Sequence, residues 1–259
     1  MIMKNKKHKI GLALSGGGAR GFAHLGVILA LEKFGYKPDI ISGVSAGSIV
    51  ASLYCSGLTV KEILKTFSEI GRITDFAELS FSKQSILKLD KLSRLLEDVL
   101  PIDYIEQADT PIIICATDFD NGKSVGWTKG EIVPRIIASC SIPIVFPPVN
   151  INGVNYVDGG VLRNLPAWAI RSKCKKLIGS NCSPLSRSFK YHSNIKDAAT
   201  RSFQLMTRAN TLQDLMLCDH IIQSNNVADY GTFDVASMKE IVISGYDSAS
   251  KVLEKLKSN

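Results

Sequence analysis

The sequence has no apolar run that approaches the ~20 consecutive residues required by a membrane-spanning helix. The apolar stretch after the charged start, Ile10 to Leu14, is too short for the core of a signal peptide. The six cysteines form no C-x-x-C pair and no metal-ligand spacing, and several lie in apolar stretches, as buried free thiols do in a reducing compartment. We therefore expect a cytoplasmic protein that uses no metal ion and no cofactor.

The 259 residues also lack internal repeats, low-complexity segments and linkers. This length is sufficient for one well-packed α/β domain, which we place at residues 10–259 after a basic tail at 1–9. Most of the net charge of +7 lies at the two ends of the chain, so the body is almost neutral. A neutral body argues against a nucleic-acid-binding face. We expect a solvated tail, with contact between its lysines and anionic lipid head groups as the alternative.

The segment from Pro38 to Ala51 combines a short apolar strand, the sequence Gly43-Val44-Ser45-Ala46-Gly47 and a run of helix-forming residues. A G-x-S-x-G sequence between a strand and a helix is typical of a nucleophile elbow, which presents a serine on a strained turn. Gly43 and Gly47 leave the room that a closely passing backbone needs, and the start of the helix stabilises developing negative charge. The alternative is an ordinary glycine-rich turn between a strand and a helix.

A second glycine-rich turn, Gly16 to Gly21, follows the first predicted strand and contains G-x-G-x-x-G. A dinucleotide site would require an acidic residue at the end of the second strand. Asp39 lies instead at the beginning of that strand, and Ser45 follows its end. Consecutive glycines can also direct several backbone N–H groups toward one anion. Since turns after neighbouring parallel strands meet at one sheet edge, we expect this loop to form an oxyanion hole beside Ser45.

An aspartate occupies a similar strand-end position later in the chain. The predicted strand from Val154 to Val157 ends in Asp158-Gly159-Gly160, so a carboxylate precedes two residues that permit a tight turn. Before it, Pro111 to Thr117 has the pattern of a buried central strand, and Asn121-Gly122 predicts a hairpin into the next strand. Asp158 is therefore the second candidate catalytic residue, after Ser45.

Three other segments have weaker patterns. The prolines at 143, 147 and 148 predict an extended stretch. Residues 72–100 mix apolar and basic side chains, which indicates a surface helix pair with a buried stripe or, alternatively, a flap over the site. The segments 233–243 and 247–256 are predicted to be helical or mixed.

A serine nucleophile needs a proton acceptor within hydrogen-bonding reach, and two arrangements are compatible with the sequence. In a Ser-Asp-His triad, the chain order would be Ser45, Asp158 and then His192 or His220, of which His192 has the better loop context. In a dyad, Asp158 itself accepts the proton, because burial beside a hydroxyl raises the pKa of a carboxylate above its ordinary value of about 3.9. His24 is expected to be a packed or capping residue.

Four motifs appear in a fixed order along the chain. They are the Gly16–Gly21 run, Gly43-Val44-Ser45-Ala46-Gly47, Ala138-Ser139-Cys140-Ser141-Ile142-Pro143 and Asp158-Gly159-Gly160. In this order they resemble the patatin-like phospholipases, from about Ile10 to the C-terminus. The likeness is greatest to the compact bacterial branch related to the catalytic domain of neuropathy target esterase. One difference is Ile144, where many relatives have a small residue, and this side chain is expected to narrow the acyl pocket.

The resemblance implies a three-layer α/β/α sandwich with a central, mostly parallel sheet. It also implies a serine acyl hydrolase that cleaves carboxylic ester bonds of phospholipids or lysophospholipids through an acyl-enzyme. The residues it assigns are Ser45 as nucleophile, Asp158 as base, Gly16, Gly17 and Gly18 as the oxyanion hole, Arg20 as a brace for that loop or a ligand for lipid phosphate, and Gly43, Gly47, Gly159 and Gly160 as supports of the turns. The alternatives are a regulatory or lipid-binding module with vestigial hydrolase activity, and an α/β-hydrolase with a Ser-Asp-His triad.

Overall fold

The protein is built around a mixed, mostly parallel sheet, seen in a computed structural model that describes residues 7–70, 86–185, 195–231 and 234–257. Its strands are β1 (His8–Leu14), β2 (Ile40–Val44), β3 (Ile112–Asp118), β4 (Lys123–Trp127), β5 (Val149–Ile151), β6 (Val154–Asp158), β7 (Cys174–Asn181) and β8 (His220–Gln223). They lie in the order β5-β6-β3-β2-β1-β7-β8, and β4 pairs with β3. Strands β3, β2, β1, β7 and β8 run parallel, whereas β4, β5 and β6 make antiparallel pairs.

Helices lie on both faces of this sheet. They are α1 (Phe22–Lys33), α2 (Ala46–Cys55), α3 (Val60–Ile70), α4 (Ile86–Val99), α5 (Ile132–Cys140), α6 (Ala167–Ile170), α7 (Ile195–Leu215) and α8 (Met238–Lys257). Short 3₁₀ turns at Gly18–Gly21 and Gly159–Val161 lie in the glycine-rich turn after β1 and directly after Asp158. Within the described residues, no helix has both the length and the apolar character needed to cross a membrane.

Alternating side chains along the central strands fill two separate cores, because successive residues of a strand point to opposite faces. One core contains Leu12, Leu14, Ile41, Ile112 and Ile114, and the other contains Ala13, Ile40, Val44, Ile113 and Cys115. Helices α1 to α5 and α8 cover the first core, whereas α6 and the end of α7 cover the second. The expected three-layer α/β/α arrangement is therefore confirmed.

Several local expectations need correction. Strand β1 begins at His8, so the last two residues of the predicted basic tail belong to the sheet, and residues 1–6 lie outside the described part. The stretch after Pro143 turns instead of extending, because the amides of Val145 and Phe146 both donate to the Ile142 carbonyl. Proline's fixed φ suits such a turn as well as an extended strand. The helical prediction for the C-terminal segments, in contrast, agrees with the structure, where α8 (Met238–Lys257) joins them in one helix.

The segment 72–100 is described only from residue 86 onward. There it forms helix α4, whose Leu89 and Leu96 are buried in the larger core, as a helix with a buried stripe requires. Residues 71–85 lie outside the described part. The flap hypothesis for that part of the segment stays a prediction.

The strand register brings three turns to one edge of the sheet. Leu14, at the end of β1, lies opposite Gly43 of β2, and Val44 lies opposite Cys115 of β3. One residue further along β3, Ala116 lies opposite Asp158 of β6. The turn after β1, the turn after β2 and the end of β6 therefore meet at this edge.

Candidate active site

Ser45 occupies the turn between β2 and α2 in an unusual backbone conformation. Its φ of 52° and ψ of −127° lie outside the regions that ordinary residues prefer. The serine carbonyl accepts hydrogen bonds from the Ser48 amide at 2.8 Å and from the Ser48 hydroxyl at 2.7 Å. These bonds join the turn to the first turn of α2, so the expected strand–turn–helix setting of Ser45 is present.

The two glycines of the turn lie where backbone segments nearly touch. A Cβ on Gly43 would overlap the backbone of Gly47, and a Cβ on Gly47 would overlap the carbonyl oxygen of Leu14. Any side chain at either position would push β1, β2 and α2 apart. The turn therefore needs glycine at both positions for space, as the sequence predicted.

The C-terminal end of α5 contacts both the serine turn and the aspartate strand. The hydroxyl of Ser139 accepts a hydrogen bond from the Ser45 amide at 2.8 Å and donates one to the Cys115 carbonyl at 2.6 Å. Two residues later, the Ser141 carbonyl accepts from the Asp158 amide at 2.9 Å. Two buried serines, one in the last turn of α5 and one directly after it, thus connect the Ser45 turn to the end of β6.

The glycine loop after β1 is held through its carbonyl groups. The Ser183 hydroxyl donates to the Gly16 carbonyl at 2.7 Å, and the Arg20 guanidinium donates to the Gly17 carbonyl at 3.2 Å. In a trans peptide, the N–H of the next residue points opposite to the C=O. Fixing these two carbonyls therefore also fixes the directions of the Gly17 and Gly18 amides.

The Gly16 amide has a different role from the two that follow it. It donates to the Asn164 carbonyl at 3.1 Å, so it is already occupied in this structure. Gly16 itself lies against the nucleophile turn, since a Cβ added to it would be 3.2 Å from the Ser45 Cβ. The loop and the serine are therefore neighbours, as expected for an oxyanion hole.

A buried polar cluster lies beneath the glycine loop. One ring nitrogen of His24 contacts the Ser15 carbonyl at 2.9 Å, and the other contacts the Ser180 hydroxyl at 2.8 Å. The Cys182 thiol lies 3.3 Å from the ring. Burial lowers the pKa of the His24 ring and raises that of the Cys182 thiol. The attraction between an imidazolium and a thiolate outweighs burial, so the pKa of His24 is raised overall and that of Cys182 is lowered. His24 is thus the packed residue that the sequence indicated.

Asp158 ends β6 with its carboxylate almost fully enclosed, at 1% exposure. Its Oδ1 accepts a hydrogen bond from the Gly160 amide at 2.7 Å, and its carbonyl accepts one from the Thr117 hydroxyl at 3.1 Å. Burial raises the pKa of Asp158 to about 7, although the Gly160 amide and the Ser45 hydroxyl both lower it. Burial thus brings the pKa of this carboxylate close to neutral pH, and the Ser45 hydroxyl is one of the two groups that lower it.

The two glycines after Asp158 also occupy crowded positions. A Cβ on Gly159 would lie 2.9 Å from the Cys115 carbonyl oxygen. The carbonyl of Gly160 accepts a hydrogen bond from the Asn210 side chain at 2.8 Å, which attaches this turn to α7. Both glycines therefore support the position of the carboxylate.

Other predicted residues lie away from this edge. His220 begins β8 opposite Ile178, three strands from β2 and four residues short of the level of Ser45. Strand spacing and rise place it on the order of 15 Å or more from the serine. His192 lies outside the described residues. Ile144 adopts a φ of 73° and is 84% exposed, so its side chain does not narrow an enclosed pocket.

Sequence reasoning missed the residues that hold the loops. Asn164, Ser183 and Asn210 lie far along the chain from the glycines they bond, and polar residues of this kind occur throughout the sequence. Ser139 was included in a motif but had no assigned role. The only signal for it was the position of that motif between the two candidate catalytic residues.

A sequence profile described as patatin-like phospholipase matches residues 12–170, more than half of the chain. The chain belongs to the patatin-like phospholipase family. The matched segment contains the glycine loop, Ser45 and Asp158, together with the end of α5. The motifs that carried the resemblance in the sequence are thus those that the fold brings together.

Similar proteins include members of the NTE group. The chain is 35% identical over 169 residues to an uncharacterized NTE family protein of Mycobacterium tuberculosis, with 61% of this chain and 44% of that protein covered. It is 27% identical over 280 residues to lysophospholipase NTE1 of Eremothecium gossypii, with 96% and 18% covered. The chain therefore spans less than half the length of these relatives.

A solved structure has a similar fold. The chain superimposes on VipD from Legionella pneumophila with a TM-score of 0.57 and 16% sequence identity, covering 96% of this chain and 67% of that one. At this identity the likeness concerns the fold alone. It agrees with the layered arrangement described above.

We expect Ser139→Ala to lower the free energy of unfolding by about 1–3 kcal/mol, because it leaves the buried Ser45 amide without its acceptor. Ser141→Ala is the matched control. The Ser141 hydroxyl donates to the Ile137 carbonyl within α5, and its loss leaves the bond from the Asp158 amide intact. Urea unfolding measures both variants. Equal losses would contradict a specific contribution of Ser139 to the serine turn.

Asp158→Asn should stabilise the protein increasingly as pH rises from about 4 to 8. Because the pKa of Asp158 is raised from 3.8 to about 7 in the folded state, the unfolded chain releases this proton first, and wild-type stability falls through that pH window. An amide has no such proton. We expect the difference in melting temperature to grow by roughly 4 °C or more. The exposed Asp98→Asn on α4 is the control, and a pH-independent difference for Asp158→Asn would contradict the raised pKa.

Proposed function

We propose that this chain is a serine acyl hydrolase in which Ser45 attacks carboxylic ester bonds and Asp158 accepts the serine proton. The observation that carries the proposal is the meeting, at one edge of the sheet, of a serine on a strained turn and a buried carboxylate whose pKa is raised to about 7. At neutral pH such a carboxylate is about half deprotonated, and it is a stronger base than an ordinary aspartate. Both properties suit a group that removes a proton from a hydroxyl.

The proposed reaction has two halves. First, Ser45 Oγ forms a bond to the ester carbonyl carbon, its proton passes to Asp158, and the carbonyl oxygen becomes an oxyanion. The C–O bond to the leaving alcohol then breaks, the alcohol takes the proton from Asp158, and the acyl group stays on Ser45. In the second half, water loses a proton to Asp158 and attacks the acyl-enzyme, which releases the carboxylic acid and returns the proton to Ser45.

We assign the oxyanion hole to the amides of Gly17 and Gly18. The Gly16 amide is bonded to the Asn164 carbonyl, so its part is to fix the loop. Removal of one such donor typically lowers the rate by ~10²–10³. Arg20 also fixes the loop. Its side chain is only 6% exposed and donates to the Gly17 and Pro184 carbonyls. These contacts favour a role in bracing the glycine loop over a role in binding lipid phosphate.

The substrates that fit this proposal are phospholipids or lysophospholipids. The family is that of patatin-like phospholipases, and the relative from Eremothecium gossypii is a lysophospholipase. A cytoplasmic location, with the basic tail against an anionic membrane surface, stays part of the proposal. The tail's first six residues lie outside the described part of the chain.

Labelling by a fluorophosphonate probe tests the nucleophile. The probe reacts covalently with an activated serine, so the wild-type protein should be labelled and Ser45→Ala should not. The control is Ser68→Ala, which removes an exposed serine on α3. Equal labelling of wild type and Ser45→Ala would refute the assignment of Ser45. Labelling without turnover of a nitrophenyl ester would favour the vestigial lipid-binding module.

Ester turnover by three variants separates the dyad from a triad. Asp158→Asn should lose nearly all activity, because the amide keeps the shape but cannot accept the proton. His192→Ala and His220→Ala should each stay within about tenfold of wild type, which corresponds to ~1.4 kcal/mol in barrier height. Circular dichroism checks that each variant is folded. A loss of several orders of magnitude in a folded histidine variant would establish a triad instead.

A further inference from the structure

A cleft of about 750 Å³ lies beside the glycine loop, at the carboxyl ends of β7 and β8. Its walls come from the segment after β7, from one face of α7 and from the segment after β8. The polar residues of the lining include Ser183, Arg208, Thr211, Gln223 and Asn225. The mechanism proposed above uses no group that faces this cleft except Ser183, which holds the Gly16 carbonyl.

Two contacts connect the cleft to the proposed catalytic residues. On one wall, the Ser183 hydroxyl donates to the carbonyl of Gly16, and Gly16 packs against the Ser45 turn. On the other wall, α7 holds the turn after Asp158 through the bond from Asn210 to the Gly160 carbonyl. Arg208 and Thr211 are the cleft-lining neighbours of Asn210 on this helix. The cleft is therefore separated from Ser45 by little more than the glycine loop.

The charge in the cleft indicates what it can bind. Arg208 is exposed, and none of the ion pairs between described residues involves it. A guanidinium binds phosphate oxygens through paired N–H donors, and such charge-assisted bonds are among the stronger ones in proteins. The side chains of Gln223 and Asn225 add amide groups to the lining.

We propose that this cleft is the head-group subsite of the substrate, in which Arg208 binds the phosphodiester of a glycerophospholipid or lysophospholipid. In such a lipid, a few bonds of the glycerol unit separate the ester carbonyl from the phosphate. This matches an ester at Ser45 and a phosphate on the far side of the glycine loop. The inference rests on the proposed function and extends it by assigning the cleft and the residue that bind the phosphate of such a lipid.

The kinetic test compares two substrates with the same acyl chain, lysophosphatidylcholine and the corresponding monoacylglycerol, which lacks the phosphate. Arg208→Gln should lower kcat/KM for lysophosphatidylcholine at least tenfold more than for the monoacylglycerol, mainly through KM, because a charge-assisted hydrogen bond is lost. Lys251→Gln, an exposed cation on α8, is the control and should change neither substrate. Equal losses on both substrates, or no loss on lysophosphatidylcholine, would overturn the proposal.

A binding test is independent of turnover. Glycerophosphocholine, the head group without acyl chains, should bind to Ser45→Ala and bind at least tenfold more weakly to Ser45→Ala/Arg208→Gln in calorimetry. If wild type hydrolyses neither lipid, the proposed function fails, yet this measurement still decides the subsite. Absence of Arg208-dependent binding overturns it. Inorganic phosphate that binds as tightly as glycerophosphocholine would identify a free-phosphate site and would also overturn the head-group assignment.

Discussion

The backbone conformation of Ser45 is the constraint on which the rest of the site depends. A non-glycine residue at φ 52° and ψ −127° carries strain of about 1–3 kcal/mol, which persists only when surrounding contacts hold it. Here the holding contacts are specific. Ser139 accepts from the serine amide, α2 donates to its carbonyl, and the two flanking glycines let three backbone segments pass without side chains between them. Substitution of any of these residues affects the same turn.

The same constraint explains the position of α5. Strand β3 pairs with parallel β2 through Cys115 and with antiparallel β6 from Ala116 onward, so the sheet changes direction at the point where Ser45 and Asp158 must meet. The register on β3 places the ends of β2 and β6 side by side, but it does not hold the turns that follow them. The end of α5 does so, since Ser139 bonds the turn after β2 and the Ser141 carbonyl bonds the end of β6. The sequence motif at this helix end therefore has a mechanical role between the two catalytic candidates.

Much of this arrangement could be predicted from local sequence, and the rest could not for a physical reason. Ser45 and Asp158 were identified because strand, turn and glycine signals are adjacent in the chain. The hydrogen bond that occupies the Gly16 amide could not be predicted. Its acceptor, the Asn164 carbonyl, is 148 positions away in the chain and becomes a neighbour of Gly16 only when the fold forms. The stretch after Pro143 was predicted as extended because proline restricts φ but leaves open whether the following amides turn back.

Burial suits Asp158 to its proposed role as a base, but it also means that the ionised carboxylate destabilises the folded state. When ionised, the carboxylate has the Gly160 amide and the Ser45 hydroxyl as partners, and these do not compensate for lost hydration, so its pKa stays near 7. A triad would reduce this problem by placing an imidazole between the two groups. The described histidines do not reach that position: His24 is packed beneath the glycine loop, and His8 and His220 begin their strands at the opposite edge of the sheet. The part of the chain that the structure describes thus places no imidazole between Ser45 and Asp158, which supports the proposed direct transfer; His192 lies outside that part.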